Sequence, residues 1–348
     1  MATYRNELSA RLDPTAAGLQ RILDRVRANK RRVVFAEGEE ERAIRAALSF
    51  RSAGYGTPVL IGREDRIRAT MKAIGLGGGG EDLEIHNARL SQDNARYAEF
   101  LYDRLKRRGS LFRDCQRMVN QDRNVFGACM VALGAADAMV TGLTRSFAAS
   151  FEEVRRVIAS RPGDRIFGLT ILLARGRTVF IADTTVHEQP TAVELADIAA
   201  QAAEKARQLG HEPRVALLSF SNFGNPPAQA HAARVRDAVA MLDSRSRDFE
   251  YDGEMSADVA LDHGLMRQLY PFCRLSGPAN VLIMPELHSA NISAKLLQKL
   301  GGGTVVGPLL IGLSKPVHIV QMGATVSDVV HMAALAADDA VAAERRSR

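Results

Sequence analysis

The chain of 348 residues is 46% hydrophobic and 25% charged, which argues against disorder and supplies enough apolar mass for two domains of about 150 residues each. No apolar run approaches the ~20 residues of a membrane span, and the opening Met1-Ala2-Thr3-Tyr4-Arg5 lacks an apolar signal core, so a soluble protein is expected. Three cysteines without paired spacing, Cys115, Cys129 and Cys273, argue against a disulfide framework or a structural zinc and fit a reducing cytoplasm.

The formal charge of +6 arises from 46 basic against 40 acidic side chains, intermixed along most predicted helices. The densest cluster, Arg104, Lys106, Arg107 and Arg108, has no zinc-finger, basic-zipper or glycine-aromatic signature beside it, so it reads as a solvated helix face. Excess positive charge still raises the local concentration of an anionic ligand such as a coenzyme bearing phosphates.

At the start, Leu8, Leu12, Leu19, Ile22, Leu23 and Val26 recur at helical spacing across Asp13-Pro14. Two short helices are predicted there, a lead-in or linker over residues 1–30 compatible with a chain cut at a linker. From Arg32 strands and helices alternate: strand Val33–Ala36, an acidic helix Glu39–Ala53 stopped by Gly54, then strand Pro58–Ile61. Further strands are predicted at Leu83–Ile85, Ala138–Val140, Arg165–Gly168, Thr178–Ile181, Val215–Leu218 and Val281–Met284, which together mean a layered α/β architecture. Arg161-Pro162-Gly163 is the main internal break, and Gly301 to Pro308 the second.

Gly75, Gly77 and Gly80 have the spacing of a dinucleotide loop, but they follow a helical stretch and lead into Glu81-Asp82, whose carboxylates repel a pyrophosphate. The acidic run Glu37-Gly38-Glu39-Glu40-Glu41 fails for the same reason and is expected to complement the dipole of the following helix. No internal NADP-binding fold is therefore expected. The loop Ser219-Phe220-Ser221-Asn222-Phe223-Gly224 lies between an apolar strand and a helix. Its hydroxyls and amides fit a phosphate or the amides of a pantetheine arm, and equally an ordinary cap and turn. Asn225-Pro226-Pro227 lengthens it. His187, His288 and His318 lack metal-ligand spacing and read as hydrogen-bonding residues facing one cleft.

The most informative stretch runs from Val281 to Asp328. Val281–Met284 closes at Pro285. A helix follows, capped by Ser289 or Asn291, with Ile292, Leu296, Leu297 and Leu300 on one face and Gly301 at its end. Thr304–Val306 re-enters a sheet, Gly307-Pro308 breaks it, and Pro316–Val320 delivers the loop Gln321-Met322-Gly323-Ala324-Thr325. Thr325-Val326-Ser327-Asp328 has the spacing of a capping box.

With Asp183-Thr184-Thr185, the Ser219 loop and Asp252-Gly253-Glu254, this pattern resembles the phosphate acetyltransferase and butyryltransferase family over nearly the whole chain. Ala290-Asn291-Ile292, Gly307-Pro308, Gly312-Leu313, Lys315-Pro316 and Gly142-Leu143-Thr144-Arg145 resemble, more narrowly, the transacetylase-like C-terminal half of hybrid NADP-dependent malic enzymes. The resemblance implies a two-lobed layered α/β fold of the phosphotransacetylase type, related to isocitrate and isopropylmalate dehydrogenases, with ligands in the cleft. It implies a first lobe over 31–162 with 309–348 and a second over 163–308.

In active members the last loop reads Ser-Arg-Gly-Cys-Ser, the serine assisting thiol attack and the arginine holding the acyl phosphate. Gln321 and Met322 stand in those places, and Arg145-Ser146 replaces the histidine-serine pair of the substrate loop. Glu152 aligns with an arginine for the phosphoryl group, which Arg155 or Arg156 partly replaces. Asp328 matches the base proposed for the thiol of coenzyme A. Transfer from an acyl phosphate needs a base, a cation and a placed donor, and losing one preorganised donor costs ~100-fold or more. No catalytic residue is therefore expected to be active here, although Asp328 is retained. Ligand contacts are expected from Thr144, Arg145, Ser146, Ser219, Ser221, Asn222, His288, Asn291, Gly307, Pro308, Lys315 and Gln321.

The resemblance implies acetyl-CoA or CoA as a regulatory ligand, with NADP and a divalent metal confined to a malic enzyme half outside this chain. It also implies covalent attachment to that half and a homodimer or larger homo-oligomer. No resident metal, nucleic-acid partner or membrane contact is expected. The alternative is an active phosphate acetyl- or butyryltransferase in which Arg145 or Lys315 takes over from the lost arginine.

Overall fold

Two sheets carry the computed structural model, which describes residues 14–76, 82–174, 176–225, 230–245 and 247–347. In chain order the elements are α1 (Pro14–Ala28), β1 (Arg31–Phe35), α2 (Glu41–Ser52), β2 (Gly56–Ile61), α3 (Glu64–Ala73), β3 (Glu84–His86), α4 (Asn94–Leu105), α5 (Phe112–Gln121), α6 (Arg123–Ala132), β4 (Ala138–Thr141) and α7 (Phe147–Val157). There follow β5 (Phe167–Ala174), β6 (Arg177–Ala182), α8 (Ala192–Gln208), β7 (Arg214–Leu218), α9 (Ala230–Ser244), β8 (Glu250–Met255), α10 (Ala257–Leu261), α11 (His263–Leu269), β9 (Val281–Ile283), α12 (Leu287–Leu300) and β10 (Thr304–Ile311). The last two are β11 (Val317–Ile319) and α13 (Val326–Ser347). The first predicted lead-in helix and the run Gly77–Gly80 lie outside the described residues.

The described residues divide into two compact units, one over 21–161 with 313–347, the other over 14–20 with 162–312. The first unit holds a sheet of order β11-β4-β1-β2-β3, parallel throughout. Val33, Val34, Val59, Leu60 and Met139 are wholly buried, as expected where helices cover both faces and a strand reads as a continuous apolar run. From β1 the chain steps to β2 and β3 in one direction and then to β4 and β11 in the other. The order reverses between β1 and β4, the place where ligands usually sit in open α/β sheets.

The second unit holds a sheet of order β10-β5-β6-β9-β7-β8, in which β10, β5 and β6 are antiparallel and β6, β9, β7 and β8 are parallel. Its core packs Ile181, Ala216, Met255, Met266, Leu275 and Leu282 together. Gly307-Pro308 does not break the strand as expected. β10 runs through it with a register shift between Val306 and Leu309, because Pro308 has no amide to donate and an edge strand absorbs it in a bulge.

α12 also differs from its sequence reading. It begins at Leu287 with Glu286 as an N-cap that makes no side-chain hydrogen bond, so Ser289 and Asn291 lie inside the helix. The Ser289 hydroxyl donates back to the Glu286 carbonyl at 2.8 Å. Ile292, Leu296 and Leu300 are 57%, 54% and 81% exposed, so the periodic stripe faces outward in this unit instead of into its core.

Candidate functional site

At the reversal point of the five-stranded sheet, Glu37 follows β1 and the loop Gly142–Ser146 follows β4. The Glu37 carboxylate is buried and accepts the amides of Gly142 and Leu143 on one oxygen, at 2.9 and 2.6 Å. Its other oxygen accepts the amide and hydroxyl of Thr144, at 2.8 and 2.7 Å. The predicted role of Glu37 in complementing the dipole of α2 is thus corrected. Its side chain turns away from that helix to close a ring of donors that a free anion would otherwise satisfy. Beneath it lies a cavity of about 10 Å³ lined by Phe35, Glu37, Val140, Leu143 and Val320, with room for at most one water.

The next residues of the loop are also engaged. Thr144 accepts from Arg123 at 2.9 Å. The Arg145 guanidinium donates to Asp122 at 2.5 Å and to Glu153. Glu153 further accepts from Asn124 at 2.7 Å, and Asn124 accepts from the Thr141 hydroxyl at 2.6 Å. Burial pushes the Glu153 carboxyl above its ordinary range, and the neighbouring Asp122 charge pushes it the same way. Ser146 is the N-cap of α7, accepting the Ala149 amide at 3.3 Å. Glu152 pairs with Arg155 at 2.8 Å on the exposed face of α7.

The loop after β11 presents Gln321 and Met322 to solvent. It is tied down by Arg42 of α2, which donates to the carbonyls of Met322 and Ala324 at 2.8 and 2.7 Å. Asp328 forms a reciprocal capping box: the Thr325 amide and hydroxyl donate to its carboxylate at 2.8 and 2.9 Å, and its own amide donates to the Thr325 hydroxyl at 3.2 Å. Lys315 is exposed in the turn before β11. His318 does not face an open surface, correcting its expected placement. It is wholly buried in β11 with Nε2 3.3 Å from Asp339.

In the six-stranded unit the carboxyl ends of β6, β7, β8 and β9 line one edge. After β6, buried Asp183 gathers the amides of Gly168, Thr185, Val186 and His187 at 2.8–3.2 Å and the His187 ring at 2.8 Å. Because a carboxylate only accepts, His187 carries its proton on Nδ1. Asn291 and Leu287 fasten α12 to this loop, donating to the carbonyls of Thr184 at 3.3 Å and Glu188 at 3.1 Å. His288 is exposed in the first turn of α12.

After β7, Ser221 is wholly buried with its hydroxyl on Glu254 at 2.9 Å, and Ser219 lies 3.3 Å from it. Asn222 accepts the amide and hydroxyl of Ser256 at 2.8 and 3.1 Å. Ser221 and Asn222 therefore hold the loop's shape, while Ser219 and Phe220 occupy its outer side. Gly307 and Pro308 lie in the bulge of β10, with Pro308 buried.

The sequence reading missed Glu37, Asp122, Glu153, Asp183 and Glu254 as organisers of these loops. A carboxylate just after a predicted strand and beside a glycine was the available signal for Glu37. Among the described residues no group of three or more His, Cys, Asp or Glu side chains is placed to hold a metal ion. The three cysteines are free and buried, and burial pushes the Cys129 thiol up to about 12, so it is no poised nucleophile.

Comparison with known proteins matches this architecture. The chain is 55% identical over 340 residues to an NADP-dependent malic enzyme of Rhizobium meliloti (strain 1021), covering 98% of this chain and 44% of that protein. It is 37% identical over 344 residues to the NADP-dependent malic enzyme of Escherichia coli (strain K12), of which it covers 45%. The chain thus spans about half the length of these relatives. Among solved structures, a phosphotransacetylase from Streptococcus pyogenes superposes with a TM-score of 0.86 at 29% identity, covering 93% of this chain and 99% of that one. The EutD phosphotransacetylase from Staphylococcus aureus gives 0.84 at 28%, with coverage of 94% and 99%. A family model described as phosphate acetyl/butaryl transferase matches residues 18–337, and the chain belongs to that family.

Proposed function

We propose that this chain is the phosphotransacetylase-like part of an NADP-dependent malic enzyme, and that it binds acetyl-CoA as a regulatory ligand without transferring the acetyl group. The observation that carries the reading is the loop after β11. Gln321 and Met322 offer an amide and a thioether where acyl-phosphate chemistry needs a hydroxyl and a fixed cation. Arg145 does not supply that cation, since two carboxylates hold it. Arg42 is spent on carbonyls of the same loop. Asp328, the residue left from the catalytic set, serves its helix.

In this reading the attached half carries out oxidative decarboxylation of malate to pyruvate and CO2 with NADP and a divalent metal, in the cytoplasm. Acetyl-CoA inhibits it by binding one state of the assembly more tightly than another, since equal affinity shifts nothing. The ligand contacts proposed in the six-stranded unit are Ser219, His288 and Asn291. A homo-oligomer is part of the proposal, supported by the exposed apolar stripe of α12.

The test pairs calorimetric titration of acetyl-CoA with thiol consumption from CoA and acetyl phosphate. Saturable binding without turnover is expected. Turnover at ~1 per second or faster would instead establish an active transferase.

A further inference from the structure

In the six-stranded unit two aromatic rings, Phe223 and Tyr270, pack partly on the core, and a third, Phe272, stands exposed beside them on well-fixed backbone. Phe223, in the loop after β7, has φ of 50° and is the one non-glycine residue with positive φ among the described residues. Such backbone is costly for a bulky side chain and persists where its surroundings impose it. Here the Phe223 amide donates to the Glu254 carbonyl at 2.8 Å, and Asn222 and Asn225 exchange backbone hydrogen bonds around it at 3.0 Å. Opposite it, the turn after α11 carries Tyr270 and Phe272. Arg267 clamps that turn by donating to the carbonyls of Pro271, Cys273 and Leu275 at 3.2, 3.1 and 2.8 Å.

The Phe223 ring lies 5.2 Å from Tyr270 and 5.0 Å from Phe272, and Tyr270 lies 6.1 Å from Phe272, at interplanar angles of 51°, 74° and 76°. Phe272 nonetheless remains 64% exposed. Rings at steep angles form a notch, and a preorganised aromatic surface binds a flat ring at little entropic cost.

We infer that Phe223, Tyr270 and Phe272 form a stacking platform for a purine ring, the adenine of the coenzyme A thioester. This rests on the acetyl-CoA reading and adds where the nucleotide end of that ligand is held. Position favours a nucleotide over a protein partner: the platform adjoins the polar loop at the carboxyl end of β7, where parallel sheets bind small ligands. Exposed Gln268 flanks it on α11, offering hydrogen bonds beside the rings. A stable protein interface needs ~800 Å² on each side, more than three rings provide.

The test measures acetyl-CoA, adenosine 3′,5′-bisphosphate and S-acetylpantetheine binding to the 348-residue chain and to Phe272→Ala and Phe272→Trp, with sedimentation of each. Stacking predicts that Phe272→Ala weakens acetyl-CoA and the bisphosphate by about 5- to 150-fold, leaves S-acetylpantetheine unchanged, and that Phe272→Trp retains binding. Acetyl-CoA bound equally by the parent and Phe272→Ala overturns the platform and leaves the acetyl-CoA reading standing. Phe272-dependent binding of the bisphosphate without acetyl-CoA binding does the reverse. A change in self-association with unchanged nucleotide affinity shows a protein contact and overturns the platform, as does binding of no adenine ligand.

Discussion

Glu37 and Thr144 are joined twice, the carboxylate of the first accepting both the amide and the hydroxyl of the second at 2.8 and 2.7 Å. Removing the acceptor leaves three buried or part-buried amides without a partner. Glu37→Ala is expected to destabilise the chain by ~3–5 kcal/mol in urea unfolding, and Glu37→Gln by less, because its amide oxygen still accepts.

The Arg145 cluster gives a pH signature. Glu153 has its folded pKa raised above the ordinary value of 4.5, first by burial and then by Asp122. Between the unfolded and folded values the native state binds more protons, so this group's contribution to stability is present below the unfolded pKa and lost as pH rises through the folded one. Glu153→Gln no longer titrates. Its melting temperature minus that of the parent is expected to become more positive as pH rises from about 4.5.

In the loop after β11, Gln321→Ser combined with Met322→Arg introduces the hydroxyl and the cation that the proposed reading finds missing. Acetyl-CoA formation from acetyl phosphate, followed by thiol consumption, is expected to rise ~100-fold or more over the parent. A double variant at baseline would point to Glu152, whose carboxylate pairs with Arg155, as the next obstacle.

Thr325→Ala removes one half of a capping box and is expected to cost ~1 kcal/mol in thermal unfolding while leaving acetyl-CoA affinity unchanged. A matching loss of affinity would give the pair a ligand role beyond its helix.

Gly168 admits Thr185 by lacking a side chain, since a Cβ there would stand 1.9 Å from the Thr185 hydroxyl oxygen. Gly168→Ala is expected to destabilise by ~1–3 kcal/mol, and adding Thr185→Ala should recover part of it. The double-mutant cycle measures that coupling.

Much of the fold was legible because β1, β2, β4, β6, β7 and β9 are apolar runs buried on both faces, bounded by helix starts and glycines. β8 was not, since Glu250-Tyr251-Asp252-Gly253-Glu254 reads as a polar loop. Its inward carboxylates pair with Arg274 and Arg236, partners that local pattern does not connect. Periodicity found the apolar stripe of α12 but carries no information on whether anything covers it. The loop residues Thr144, Arg145 and Asn291 were identifiable by type. What each touches was not, because Glu37 is 107 residues from Thr144 and joins it only through the parallel pairing of β1 with β4.

A carboxylate built into the chain cannot be diluted or washed out. The loop after β4 is therefore held in one shape at every metabolite level by an anion present at fixed, very high local concentration. The loop's order is constitutive and needs no bound anion to set it.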